Sequence, residues 1–152
     1  MKRLLFPLCS SFLILSCSKD SQQSKTALLT AGTWKITADS INPGRSINGQ
    51  IEHDMYPFYY ACDKDDYFSF STDGVYELNN GGQKCSPADP QKIEGTWFFS
   101  NGDTKLNLSP YNNYLSSICD ILELSTSRLK LVWHNRDQSG AIIRTHVLTL
   151  TH

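Results

Sequence analysis

The 152 residues carry 14 basic and 15 acidic side chains, a formal charge of −1, with 39% hydrophobic and 11% aromatic residues. That length suits one domain with a single core, and no basic patch or stripe is present to favour a nucleic-acid partner.

The N-terminus has the form of a signal sequence. Lys2 and Arg3 make a basic head, and Leu4 to Leu15 an apolar run too short to span a bilayer comfortably. The run ends at Ile14-Leu15-Ser16-Cys17, which resembles the lipobox of bacterial lipoproteins. That resemblance implies lipidation of Cys17, with residues 1–16 a signal peptide. An ordinary secretory peptide cleaved nearby is the alternative. Small Ser16 before Cys17 and the polar stretch after it favour lipidation, and loss of Lys2 and Arg3 leaves the mature chain two charges more acidic. Residues 17–26 read as a flexible tether and 27–152 as the folded domain. Apart from the lipid, no membrane segment is expected.

Five cysteines are present, and Cys9 and Cys17 fall in or at the end of the signal. Cys62, Cys85 and Cys119 remain. In an oxidising compartment one bridge and one leftover thiol is the simplest arrangement, with three possible pairings.

Thr26 to Thr30 suggests one helical turn before Gly32-Thr33-Trp34. Trp34, Ile36 and Ala38 then alternate with polar residues as a half-buried strand. Ser40 to about Asp66 reads as a long connection, with turn signals at Asn42-Pro43-Gly44 and Asn48-Gly49. Two short strands follow, about 67–71 and 75–79. A three-residue Thr72-Asp73-Gly74 loop sets Phe70 opposite Tyr76 and Phe68 opposite Leu78, whereas a two-residue loop would set Phe70 against Glu77. Gly74 suits the left-handed third position. In that register Cys62 lies one step from Cys85, so a bridge clasping the open end of the hairpin is the favoured pairing, and Cys119 is a small packed residue in a strand.

Asn80 to Gln91 is rich in turn residues. Gly95-Thr96-Trp97 repeats the earlier motif, with Trp97 and Phe99 on one strand face, and Leu106 and Leu108 mark a short strand. Tyr111 to Ser117 is irregular and polar. Strands follow at 118–125, 128–134 and 141–150. Leu129, Leu131 and Trp133 face inward on the second. On the third, Ile143, Thr145 and Val147 suit one face, and Leu148 and Leu150 break the alternation. Eight short strands with almost no helix suggest an up-and-down barrel or a sandwich.

Gly32-Thr33-Trp34 resembles the lipocalin G-x-W motif. The run from Cys62 through Asp73-Gly74 and Cys85 to Gly95-Thr96-Trp97 is similar to bacterial lipocalin-like lipoproteins. This resemblance, over roughly residues 27–150, implies an all-β, eight-stranded antiparallel barrel with a central cavity and Trp34 packed across its closed end. The second lipocalin motif has no match, and Arg144 is the candidate partner for Trp34.

No catalytic fingerprint is found, and the protein is read as not an enzyme. His134 and His146 are both expected to face outward. No metal site and no cofactor is expected: the cysteine spacing does not suit zinc, Glu52, His53 and Asp54 are adjacent on a loop, and Asp63-Lys64-Asp65-Asp66 reads as a solvated turn. The unusual stretch is Met55-Tyr56-Pro57-Phe58-Tyr59-Tyr60, apolar and aromatic within a polar connection. It is either a lid offering Tyr56, Phe58 and Tyr60 to an amphipathic ligand or a plug or strand extension packed on the barrel. Phe68, Phe70, Tyr76, Trp97 and Trp133 are core residues first and a ligand wall second. The expectation is a monomeric, lipid-anchored outer-membrane protein of a Gram-negative bacterium, binding a small hydrophobic or amphipathic ligand. The alternative is an accessory surface lipoprotein that binds a protein or glycan through the barrel exterior or residues 42–61.

Overall fold

The computed structural model describes residues 23–110 and 114–152. The signal peptide at 1–16, the lipidation site Cys17 and most of the tether lie outside the described residues. The helical turn begins earlier than expected: α1 (Lys25–Leu29) is capped by Ser24, whose hydroxyl accepts the Ala27 amide.

Among the described residues nine strands follow: β1 (Thr33–Ile47), β2 (Gln50–Asp54), β3 (Tyr67–Phe70), β4 (Val75–Asn79), β5 (Lys92–Ser100), β6 (Lys105–Ser109), β7 (Ile118–Leu124), β8 (Arg128–Arg136) and β9 (Ile142–Thr151). Their hydrogen-bonded order is β2-β1-β3-β4-β5-β6-β7-β8-β9, and β9 pairs back onto β1. The eight strands β1 and β3 to β9 therefore close the expected up-and-down antiparallel barrel. Closure removes the free sheet edges an open sheet would expose.

β2 is an addition to that ring. Asn42-Pro43-Gly44 is not a turn: β1 runs through it to Ile47. Asn48-Gly49 is the turn, both residues with positive φ, and it sets Ile47 opposite Gln50 in a two-residue hairpin. The connection expected from Ser40 to Asp66 thus begins with a second arm that rises from the barrel wall.

The β3–β4 hairpin has the expected register, with Phe68 opposite Leu78 and Phe70 opposite Tyr76. Ser71 closes the three-residue loop by donating its amide to the Val75 carbonyl (2.8 Å), with Gly74 at φ 86°. The cysteines flanking this hairpin are bridged, Cys62 to Cys85, with Cα atoms 5.2 Å apart. Cys119 is free and fully buried, and burial pushes its thiol pKa up to about 12.

Strand direction defines two ends. The loops at 71–74, 101–104 and 125–127 share the end where β1 begins, and α1 closes it. Leu29 is fully buried, its carbonyl accepts the Trp34 indole N–H (2.8 Å), and Lys25 reaches the Asp103 carbonyl. Trp34 thus has the closing role the resemblance implied. Arg144 is not its partner. It belongs to the far end of β9, and the ring against Trp34 is His152, with centroids 3.8 Å apart.

The barrel is filled from this end upward by Trp34, Phe68, Phe70, Tyr76, Trp97 and the fully buried strand leucines Leu106, Leu129, Leu131, Leu148 and Leu150, among other side chains. Gly95 shows how tight the filling is: a Cβ there would lie 2.5 Å from the Tyr76 ring and 2.6 Å from the Ser109 carbonyl oxygen. The Tyr76 hydroxyl in turn donates to the Pro110 carbonyl.

Candidate functional site

The parity of β1 and of β9 decides what faces the opposite end, the mouth. A register shift against β9 lies between Ile36 and Ala38. It turns Ala38 outward and buries Asp39 and Ile41, contrary to the expected alternation. On β9 the inward set is even-numbered. Leu148 and Leu150 are fully buried and Ile143 is half-exposed, so Leu148 and Leu150 keep the alternation rather than break it. His146 therefore faces the barrel, not solvent. It stacks on Trp133 at 4.8 Å between centroids, while His134 stays exposed beside Thr145.

The loops over the mouth are tied together. The Cys62–Cys85 bridge joins the 55–66 segment to the 80–91 loop. Asp65 strengthens the tie by accepting the Gly82 and Gln83 amides at 2.7 and 3.1 Å. Asp66 is buried, and its pKa is pushed up to about 6 by burial. The expected solvated turn is thus a half-buried brace with Asp66 alone buried, its carboxylates accepting amides and hydroxyls from the neighbouring segments.

Tyr114 crosses the mouth from the segment after β6. Its hydroxyl lies 3.0 Å from Asp63 and 2.9 Å from Asp66. One hydroxyl proton faces two carboxylates; the Tyr114 bond lowers the pKa of Asp66, and burial, with Asp63 and Asp65 nearby, outweighs it. The ring meets Tyr59 at 6.0 Å and Phe68 edge-on at 6.2 Å. The Tyr59 hydroxyl donates to Asp39 (3.0 Å). Burial raises the pKa of both tyrosines.

Tyr114 lines two clefts. One, of about 370 Å³, is edged by Asp63, Asp66 and Asp89 and floored by Leu78 and Ile93. The other, of about 350 Å³, holds Arg45, Arg144, His146 and Asp39 among Ile41, Ile47, Met55 and Phe58. Both volumes fall at the low end of the small-ligand range, about 300–1,000 Å³.

The proposed ligand residues divide accordingly. Phe58 lines the second cleft. Phe68, Phe70, Tyr76 and Trp97 are in the packed interior, and Trp133 packs against it beside His146. Tyr56 packs on the core with the Lys64 ammonium 5.2 Å from its ring centre, and Tyr60 is 76% exposed. Cys62, Asp63 and Cys85 converge, but both sulfurs are spent in the disulfide and offer no thiolate to a metal. Asp39 and Tyr114 are not singled out by the sequence reading, Tyr59 enters it only within the 55–60 stretch, and Arg144 and His146 are expected elsewhere, beside Trp34 and facing outward. Parity on β9, marked by Leu148 and Leu150, was the available signal for Arg144 and His146.

The architecture is thus an antiparallel barrel plugged by a short helix at one end and cleft at the other. A family profile described as a lipocalin-like domain matches residues 30–131, and the chain belongs to that family. A crystal structure of a DUF4847 family protein from Bacteroides vulgatus is similar over 85% of this chain and 97% of its own, at 13% identity and a TM-score of 0.47. No curated protein matches.

Proposed function

We propose that the protein is a lipid-anchored envelope protein of a Gram-negative bacterium that binds a small amphipathic molecule at the barrel mouth. The observation that carries this is the pair of polar-edged, apolar-floored clefts above a filled barrel. On this reading the ligand expected in the barrel would sit instead at its rim, where the two clefts leave space. The envelope address rests on the lipobox-like Ile14-Leu15-Ser16-Cys17 and on Ser18, which stands where inner-membrane retention would favour Asp. Titration with the neutral apolar fluorophore N-phenyl-1-naphthylamine tests the mouth. Phe58→Ser and Met55→Ser should each weaken its binding several-fold with the melting temperature held. Unchanged binding in both would remove the cleft from the reading.

A second reading is favoured by Tyr60 and Ile51, 76% and 64% exposed on the segment beside the mouth. Such residues suit capture of a protein or glycan by the outer surface. Tyr60→Ser would then weaken partner capture and leave fluorophore binding unchanged.

A further inference from the structure

We propose that the cleft beneath the β1–β2 arm takes a small anionic amphiphile, its headgroup held by Arg144 and Arg45 and its tail laid on Ile41, Ile47, Met55 and Phe58. The proposal rests on the mouth being the ligand site and adds the class of ligand.

The two guanidiniums carry it. Arg144 projects from β9 with its Nε buried and without a hydrogen-bond partner. A guanidinium cannot escape that cost by losing its proton, as a lysine or histidine can. Among the described residues the ion pairs are Lys92–Glu77, Lys105–Asp120 and Arg128–Glu123, and none involves Arg144 or Arg45. A half-buried, unpaired arginine at the edge of an apolar cavity is destabilising until an anion arrives. A carboxylate matches it in geometry as well as charge, since both are planar and pair through two parallel hydrogen bonds.

The other polar groups in the cleft do not supply that anion. Asp39 is engaged by the Tyr59 hydroxyl, and its second oxygen is buried without a partner. Burial raises the pKa of Asp39 and lowers that of His146, moving both toward their neutral forms. Asp54, the other acid near Asp39, accepts the Tyr56 amide. The lining thus holds two permanent positive charges and one disfavoured negative charge. Across Tyr114 the neighbouring cleft has the opposite character, with Asp63, Asp66 and Asp89 and, among the described residues, no basic side chain in its lining. An anion is therefore directed to one side of the mouth and repelled from the other.

The test uses three probes with the same tail, octanoate, 1-octanol and octylammonium, titrated calorimetrically into the full chain against protein-free blanks. Octanoate should bind tightest. Arg144→Gln should weaken octanoate about tenfold and bring it level with octanol, whose own affinity stays within about twofold. Arg45→Gln, at an exposed position on the arm, should act in the same direction and serves if Arg144→Gln fails to fold. Asp39→Asn should tighten octanoate. Octanoate affinity equal to that of octylammonium, or unchanged in both arginine variants, overturns the anionic assignment and leaves the mouth as a binding site. Failure of all three probes to bind overturns both.

Discussion

At the scale of single residues, Asp66 makes the mouth sensitive to pH. Its pKa stands at about 6 in the folded protein against an ordinary 3.8, raised first by burial and lowered in part by Tyr114. The folded state then holds more protons than the unfolded state between those values. The contribution of Asp66 to stability is fully present below about pH 3.8 and is lost as pH rises through 6. Asp39, also raised, acts in the same direction, while Asp73, Glu77 and Asp137, all lowered, act against it. Comparing the wild type with Asp66→Asn isolates the one carboxyl. Thermal melts from pH 4 to 7 should show the variant gaining on the wild type as pH rises. A constant difference would mean that Asp66 titrates as an ordinary surface carboxylate. Residues such as Asp66 are the least legible in the sequence. Nothing in Asp63-Lys64-Asp65-Asp66 marks which acids fold inward, because that depends on where Tyr114 and Gly82 come to rest, both far along the chain.

Elements were more legible, and the reasons are specific. The β3–β4 hairpin was readable because opposing faces had to match and a glycine was needed at one φ. The barrel strands were readable from period-two alternation. The β1–β2 arm was missed because Asn42-Pro43-Gly44 has turn composition, yet in the fold it lies within a strand that extends beyond the closed ring, where its pairing demands are lighter. On β9 both faces carry apolar residues, so alternation alone did not select the inner one; the pairing of Leu148 with Leu131 and of Leu150 with Leu129 does. The disulfide belongs to this scale, since it joins two loops rather than two strands. Its cysteines are 23 residues apart, and in the chain-entropy model closing such a loop contributes about 3 kcal/mol. Cys62→Ser/Cys85→Ser should lower stability by about that amount in denaturant titration. The barrel should remain, because neither cysteine lies in one of its strands. Hydrogen exchange should rise in residues 55–66 and 80–91 first, and exchange rising equally across all strands would mean that the bridge holds the barrel and not its mouth.

For the whole molecule, the order of elements sets an orientation. The chain enters the barrel through α1, which plugs the closed end, and the mouth lies one strand length away. With Cys17 lipidated as proposed, about eight residues separate the lipid from α1, a reach of at most roughly 28 Å. On that proposal the closed end should face the membrane and both clefts away from it, with the mouth open to the aqueous phase. Two exposed turns report on this: Ser127 at the closed end and Gln138 at the mouth. Single cysteines placed at each can carry a fluorophore, because the bridge occupies Cys62 and Cys85, and Cys119 is buried with its thiol pKa pushed up to about 12. In vesicles bearing the lipidated chain, a quencher in the lipid headgroups should dim the label at Ser127→Cys more than that at Gln138→Cys. Cys17→Ser should release the protein from the vesicles and abolish the difference. Stronger quenching at Gln138→Cys would place the mouth against the bilayer, so that its ligand would have to be drawn from the lipid phase.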